Sequence, residues 1–307
     1  MLYRKNPKTG DKLSAIGFGA MRLPTDEKGA KDWLWQCTIP EATELQEHTL
    51  KTKRSIIIGD KCRIDYGLVG DEILISEFCQ INGNISTEND LRIDNWSEVT
   101  GDVISQGDAF IGEGVRIKGR VKILGDLDLG DNVIIDSGFE AKGWISIRNP
   151  LPVITYIMLY LITLLGLEKE EDINSFFQKL FSEDEDEEKG LPLIIPPNST
   201  LNMEVFSVQS PMKIGPKCRF HGNIRANSAV IESENVIFGS ISSEKDIKIS
   251  KGTVIHGAVS SVLGDIEIES GVHILGDVKC HSLSLDEEAV IDGTIKAPGG
   301  VKILRKK

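Results

Sequence analysis

The chain has 307 residues, 40% hydrophobic and 27% charged, with 35 Lys and Arg against 47 Asp and Glu and a formal charge of −12. This is the profile of a soluble chain long enough to bury a core without disulfides or a metal staple, and it excludes collagen-like and disordered classes. The acidic balance argues against nucleic acid as a partner, because phosphate binding needs a Lys/Arg-rich face. Cys37, Cys62, Cys79, Cys218 and Cys280 are odd in number and include no C-x-x-C pair, which points to a reducing compartment and away from zinc. No P-loop, nucleophile elbow or dinucleotide fingerprint is present, so no cofactor and no metal are expected.

In chain order, Met1 to Lys5 carries charge with no apolar stretch behind it, unlike a secretory signal, and the expected location is the cytoplasm. Residues 1–54 read as a leader. Within it, Gly17-Phe18-Gly19-Ala20-Met21-Arg22-Leu23-Pro24 resembles the start of the aldo/keto reductases, where such a segment forms the first barrel strand and its loop. The likeness ends near Thr25, and the eight-fold βα alternation of that barrel does not follow. No reductase residue is therefore carried over. From Pro40, Glu41, Glu44 and Glu47 precede Lys51, Lys53 and Arg54, a charge order that suits a short helix dipole capping the first repeat block.

Residues 55–149 are repetitive. An apolar-x-Gly-x-apolar unit recurs at Gly83, Gly101 and Gly119, then at Gly222, Gly239, Gly257, Gly276 and Gly293. The steps are 18 and 18 in the first group and 17, 18, 19 and 17 in the second. Inside that period lies a step of six: Ile111, Ile117, Ile123, Leu129 and Ile135, and also Val115, Val121, Leu127 and Val133. Three sixes per repeat predict an all-β, three-sided β-solenoid, with β-branched residues in the bore and Gly or Asp-Gly at corners. Stacked turns share one core, so stability is collective.

Residues 150–203 form an insert. The run from Leu151 to Leu167 contains no charge, and its length lies at the short limit for a membrane span. A helix apolar all round must be buried, whether in the membrane interface, on a partner or against its own solenoid. Residues 168–181 suit an amphipathic helix, so Ile157, Leu161, Leu164, Phe176 and Phe177 are candidate membrane or partner contacts. Glu183 to Glu188 is an unbroken run of acids, expected to be a solvated loop.

Residues 204–304 form the second block. Ile58-Gly59-Asp60-Lys61-Cys62-Arg63-Ile64 returns as Ile214-Gly215-Pro216-Lys217-Cys218-Arg219-Phe220, so each block opens alike. Ile255, Val259, Ile274, Val278, Ile291 and Ile295 are the expected bore residues.

This once-per-turn glycine pattern on an 18-residue period, covering about two thirds of the chain, resembles the bactofilins, polymer-forming cytoskeletal proteins. The resemblance implies a right-handed β-helix assembling end to end without nucleotide, often at a membrane, with itself as partner. The doubled block and the insert depart from that family. Uncapped solenoid ends present unpaired backbone and an apolar core section, so the expected function is a self-associating structural scaffold. The enzymatic alternative is a hexapeptide-repeat acyltransferase, left-handed, which needs a histidine base at a subunit interface. His221 and His256 are the nearest candidates, but both occupy a permissive slot also filled by Asn82, Thr100, Lys118, Phe238, Leu275 and Asp292. His273 and His281 show no acidic neighbour in sequence, and His48 lies outside the expected solenoid. No catalytic residue is assigned.

Overall fold

The structure is a computed structural model that describes residues 3–5, 12–14, 36–147 and 191–305. It divides into two units, Met1–Trp33 and Leu34–Lys307. The first contains the antiparallel strands Tyr3–Lys5 and Lys12–Ser14, with Tyr3 opposite Ser14. The reductase-like Gly17 to Pro24, the apolar and acidic parts of the insert and its five candidate contacts lie outside the described residues.

The second unit is a β-solenoid, its three sides being sheets of 12, 12 and 14 strands. Val99 pairs with Ile117, Val103 with Val121 and Ala109 with Leu127, each one period of the sequence repeat apart. Longer and shorter steps in the second block, Ile247 to Ile266 and Ile274 to Ile291, are absorbed at the corners while strand register is kept. Both six-residue series point inward. Ile111, Ile117, Ile123, Val115, Val121 and Leu127 are fully buried, and Leu129, Val133 and Ile135 are partly buried near one end. Ile255, Val259, Ile274 and Val278 fill the bore as expected. Ile291 is only partly buried and Ile295 is exposed, because both belong to the last described turn and have no turn beyond them.

The motif glycines owe their place to close approach more than to a left-handed turn. A Cβ on Gly101 would collide with the Gly83 carbonyl, one on Gly119 with Gly101, one on Gly257 with Gly239. Of the eight, Gly222 alone has positive φ, at 121°. The left-handed corner positions are instead taken by Lys61, Phe78, Trp96, Gly114 and Asn132, and by Lys217, Glu234, Gly252 and Gly271. Acids at corners form a second ladder: Asp90, Asp108 and Asp126 each accept the backbone N–H of the residue one turn on, at 2.8, 2.8 and 2.7 Å. These carboxylates therefore hold successive turns together through charge-assisted hydrogen bonds.

The two blocks are a single stack, joined where the expected leader meets the end of the expected insert. Residues 37–51, part of the expected leader with its capping helix, are strands: Cys37–Ile39, Glu44–Gln46 and Thr49–Lys51. The end of the expected insert likewise forms strands, Leu193–Ile195 and Thr200–Leu201. Local charge order loses here to tertiary pairing, which buries Ile39, Leu45 and Leu50. The arm Cys37–Gln46 does not lie on its own block. Cys37–Ile39 runs parallel to Met212–Ile214, and Glu44–Gln46 to Arg219–His221, both in the second block. Reciprocally, Leu193–Ile195 runs parallel to Ile56–Ile58, and Thr200–Leu201 to Arg63–Ile64, in the first.

A hairpin then turns each arm back into its own block, pairing Leu45 with Leu50 and Leu201 with Phe206. Glu47 and His48, at φ 48° and 59°, close the first in the geometry tight hairpins favour. His48 is thus part of the solenoid. Where the arms cross, Thr38 meets Ile194 antiparallel. Equivalent residues of the two arms keep the same separation along the chain as Cys62 and Cys218, so the arrangement is a pseudo-two-fold exchange. The side chains obey it too: the Cys62 thiol donates to the Pro196 carbonyl and the Cys218 thiol to the Pro40 carbonyl, both at 3.1 Å. Thr43 and Ser199 hydroxyls donate to the same Pro40 and Pro196 carbonyls at 2.8 and 2.5 Å.

Because each arm lies on the other block, both blocks wind away from the joint. The first ends at Ile145–Ile147 and the second at Val301–Leu304, so both open ends are C-terminal ends of a coil.

Candidate functional site

The two ends are where the solenoid fails to satisfy itself. Ile134–Ile135, Phe139–Ala141 and Ile145–Ile147 are the last strands of the three sheets at one end, and Ile295–Lys296, Val290–Ile291 and Val301–Leu304 at the other. Register places Ile135, Phe139, Ile145 and Ile147 above bore residues of the turn beneath, and likewise Ile291, Ile295, Val301 and Ile303. Inside the stack such positions are wholly buried; here Ile147 is 79% and Ile303 57% exposed, and Trp144 at the first end reaches 81%. Each end joins a contiguous apolar patch to a row of edge backbone groups, the combination that promotes strand addition.

The other residues considered for function are placed as follows. The motif glycines line the stacking column, most against the glycine one turn before. His221 and His256 lie on an outer face, one turn either side of Phe238, with ring centroids 4.6 and 4.4 Å from it and the Arg219 guanidinium 4.9 Å from the same ring. His273 does have an acidic partner, Asp292 at 2.9 Å, hidden from sequence reading because the neighbour comes from the next turn. Two shallow open grooves flank Arg225, lined by Asn223, Ser240 and Ser242 on one side and by Gln209, Asn227 and Glu244 on the other. Among the described residues no helix is long and apolar enough to cross a membrane, and no three His, Cys, Asp or Glu converge as a metal site.

All five cysteines are free and buried. Burial pushes the Cys218 thiol up to about 11 and raises Cys37 and Cys280 as well, while hydrogen bonding with the neighbouring Cys79 lowers Cys62. In the unfolded chain Cys218 ionises near its ordinary value, 9.0. Below that pH it is neutral in both states; between pH 9 and 11 the unfolded state sheds a proton that the folded state keeps. Stability should therefore fall through that window by up to about 2–3 kcal/mol from this thiol alone. Urea midpoints at pH 8 and pH 10.5 measure it. Cys218→Ser, which keeps a donor for Pro40, should shrink the difference; an unchanged pH slope would refute the assignment.

What sequence reading missed was the joint. The signal was available, since Ile39-Pro40-x-x-Thr43-x-Leu45 and Ile195-Pro196-x-x-Ser199-x-Leu201 repeat at the same offset as the Lys-Cys-Arg pair. No protein-family model, no curated protein and no solved structure matches this chain.

Proposed function

We propose that this protein is a structural scaffold that assembles without nucleotide or metal through its solenoid ends. The observation that carries the reading is that both ends leave edge strands and bore residues open to solvent, with no terminal turn of polar cap residues among the described residues. The sequence resemblance to bactofilins supports it independently, and with it assembly in the cytoplasm, where five free thiols are stable. In this reading residues 151–181 are the segment that meets a membrane surface or a recruited partner.

Because both ends are C-terminal, any end-to-end contact places strands antiparallel, so backbone pairing continues across it in the manner of the Thr38–Ile194 crossing. The test is negative-stain electron microscopy of the full chain at low salt with no nucleotide or metal added. Filaments or ribbons of solenoid width are expected. Discrete three-fold particles would overturn the scaffold reading in favour of the acyltransferase geometry, and monodisperse single rods at every concentration would overturn end-to-end assembly.

A further inference from the structure

The outer face of the 14-stranded sheet differs between the two blocks. In the first, Ile57, Leu74, Arg92 and Phe110 form one outward column, each one turn from the next. In the second, the corresponding column is Lys213, Val230, Lys248 and Glu267. Leu74 and Val230 are equivalent positions, separated by the same offset as Cys62 and Cys218. Val230 is 39% exposed, yet Leu74, the larger side chain, is only 4% exposed. Neighbours within the column do not account for the difference. Val230 lies between two lysines, which are longer than Ile57, and the Arg92 guanidinium sits 3.8 Å over the Phe110 ring, turned away from Leu74. The cover reaches toward the open end as well: Asp128, outward in the last turn but one, is 5% exposed, although Ile145 and Ile147 beyond it are 49% and 79% exposed.

The outer face of the first block is therefore covered where that of the second is open, and the insert is anchored to supply the cover. The last strand before it, Ile145–Ile147, and the first after it, Leu193–Ile195, belong to this same sheet, six strand spacings apart, about 29 Å along the stack. Residues 148–150 alone separate Ile147 from the uncharged run 151–167, which as a helix spans about 26 Å. A segment apolar all round has to be buried, and Ile57, Leu74 and Phe110 offer it an apolar strip between its two anchor points. We propose that residues 151–167 lie along the outer face of the first block of their own chain, over Leu74 and Phe110, and not in a membrane. The placement goes beyond end-to-end assembly and does not depend on it. It leaves residues 168–181 as the part of the insert that meets a membrane surface or a recruited partner.

Two measurements on the full chain test it. With Phe110→p-benzoylphenylalanine, ultraviolet irradiation should join position 110 to residues 151–167 within one chain, read by mass spectrometry of the digested monomer band. In circular dichroism melts, Leu74→Lys should lower the Tm by about 5 °C or more, because it removes a buried leucine and puts an ammonium beneath the cover, whereas Val230→Lys should shift it by no more than about 1 °C. Should Leu74→Lys leave no folded protein, Leu74→Ala against Val230→Ala makes the same comparison. Equal shifts at the two positions, or crosslinks from position 110 only to other segments or only between chains, would overturn the placement. Flotation of the wild-type protein with phosphatidylcholine and phosphatidylglycerol vesicles, with loss of the intrachain crosslink, would overturn it too and give the segment to lipid. Neither readout depends on whether the solenoid ends associate, so failure of the assembly reading is seen separately.

Discussion

Expressed as two separate polypeptides, residues 1–149 and 183–307 are expected to co-purify as a 1:1 complex tight enough to survive gel filtration at micromolar concentration, a Kd below about 1 µM. The reason is the exchanged arms. Each half donates two strands to the other: Cys37–Ile39 and Glu44–Gln46 pair into the second block, Leu193–Ile195 and Thr200–Leu201 into the first. Those strands carry Ile39, Leu45, Leu193, Ile195 and Leu201, every one at most 2% exposed, and each fully buried aliphatic side chain stabilises by about 1.5–3 kcal/mol relative to exposure. Without its partner a half would expose both its own arm and the first turn that the other arm covers. Two soluble halves that do not bind each other would mean that each arm folds back on its own block, contrary to the exchange. Substituting Ile195→Asp in the second half should abolish the complex, since it places an unpaired carboxylate against the Ile58 strand.

The second large effect concerns position along the stack. Ile255→Asp puts a carboxylate into the bore at a site with no solvent exposure, between Ile237 and Ile274 of the adjacent turns. The neighbours in that column are aliphatic, so the cost should exceed about 4 kcal/mol and the second block should not fold at 37 °C. Ile303→Asp makes the same chemical change at the last turn, where the side chain is already 57% exposed, and should shift the denaturation midpoint little while abolishing end-to-end association. Circular dichroism melts of the two variants side by side check the contrast. Equal destabilisation would show that the end turns are as enclosed as the middle; loss of assembly in Ile255→Asp with an intact melt would remove it from the bore.

Much of this protein was written in its periodicity. A step of six within eighteen places Val115, Val121 and Leu127 on the inside of three successive sides of the coil, and the structure buries all three. That inference works because strand side chains alternate and each turn meets only its neighbours, so local spacing already implies the contact. The same logic explains the motif glycines, whose neighbour is another glycine one period away. It failed where the contact is not part of the repeat. His273 looked unpartnered because Asp292 lies in the following turn, at a slot where other turns carry unrelated side chains. Residues 40–54 looked helical because their charge order is local information while their strand pairing is with Arg219 and Gly67, outside the segment itself.

By itself, then, the amino-acid order determined the three-sided coil, its 18-residue turn, the contents of its bore and the duplication of its blocks. Only the tertiary structure decided the direction in which the blocks run. An arm such as Ile39-Pro40-x-x-Thr43-x-Leu45 carries the same alternation whichever turn it covers, and nothing within it distinguishes its own block from the equivalent one. The choice is made by contacts between segments far apart in the chain, Cys62 with Pro196 and Cys218 with Pro40, which exist only once both blocks are folded against each other. That choice turns both open ends into C-terminal edges.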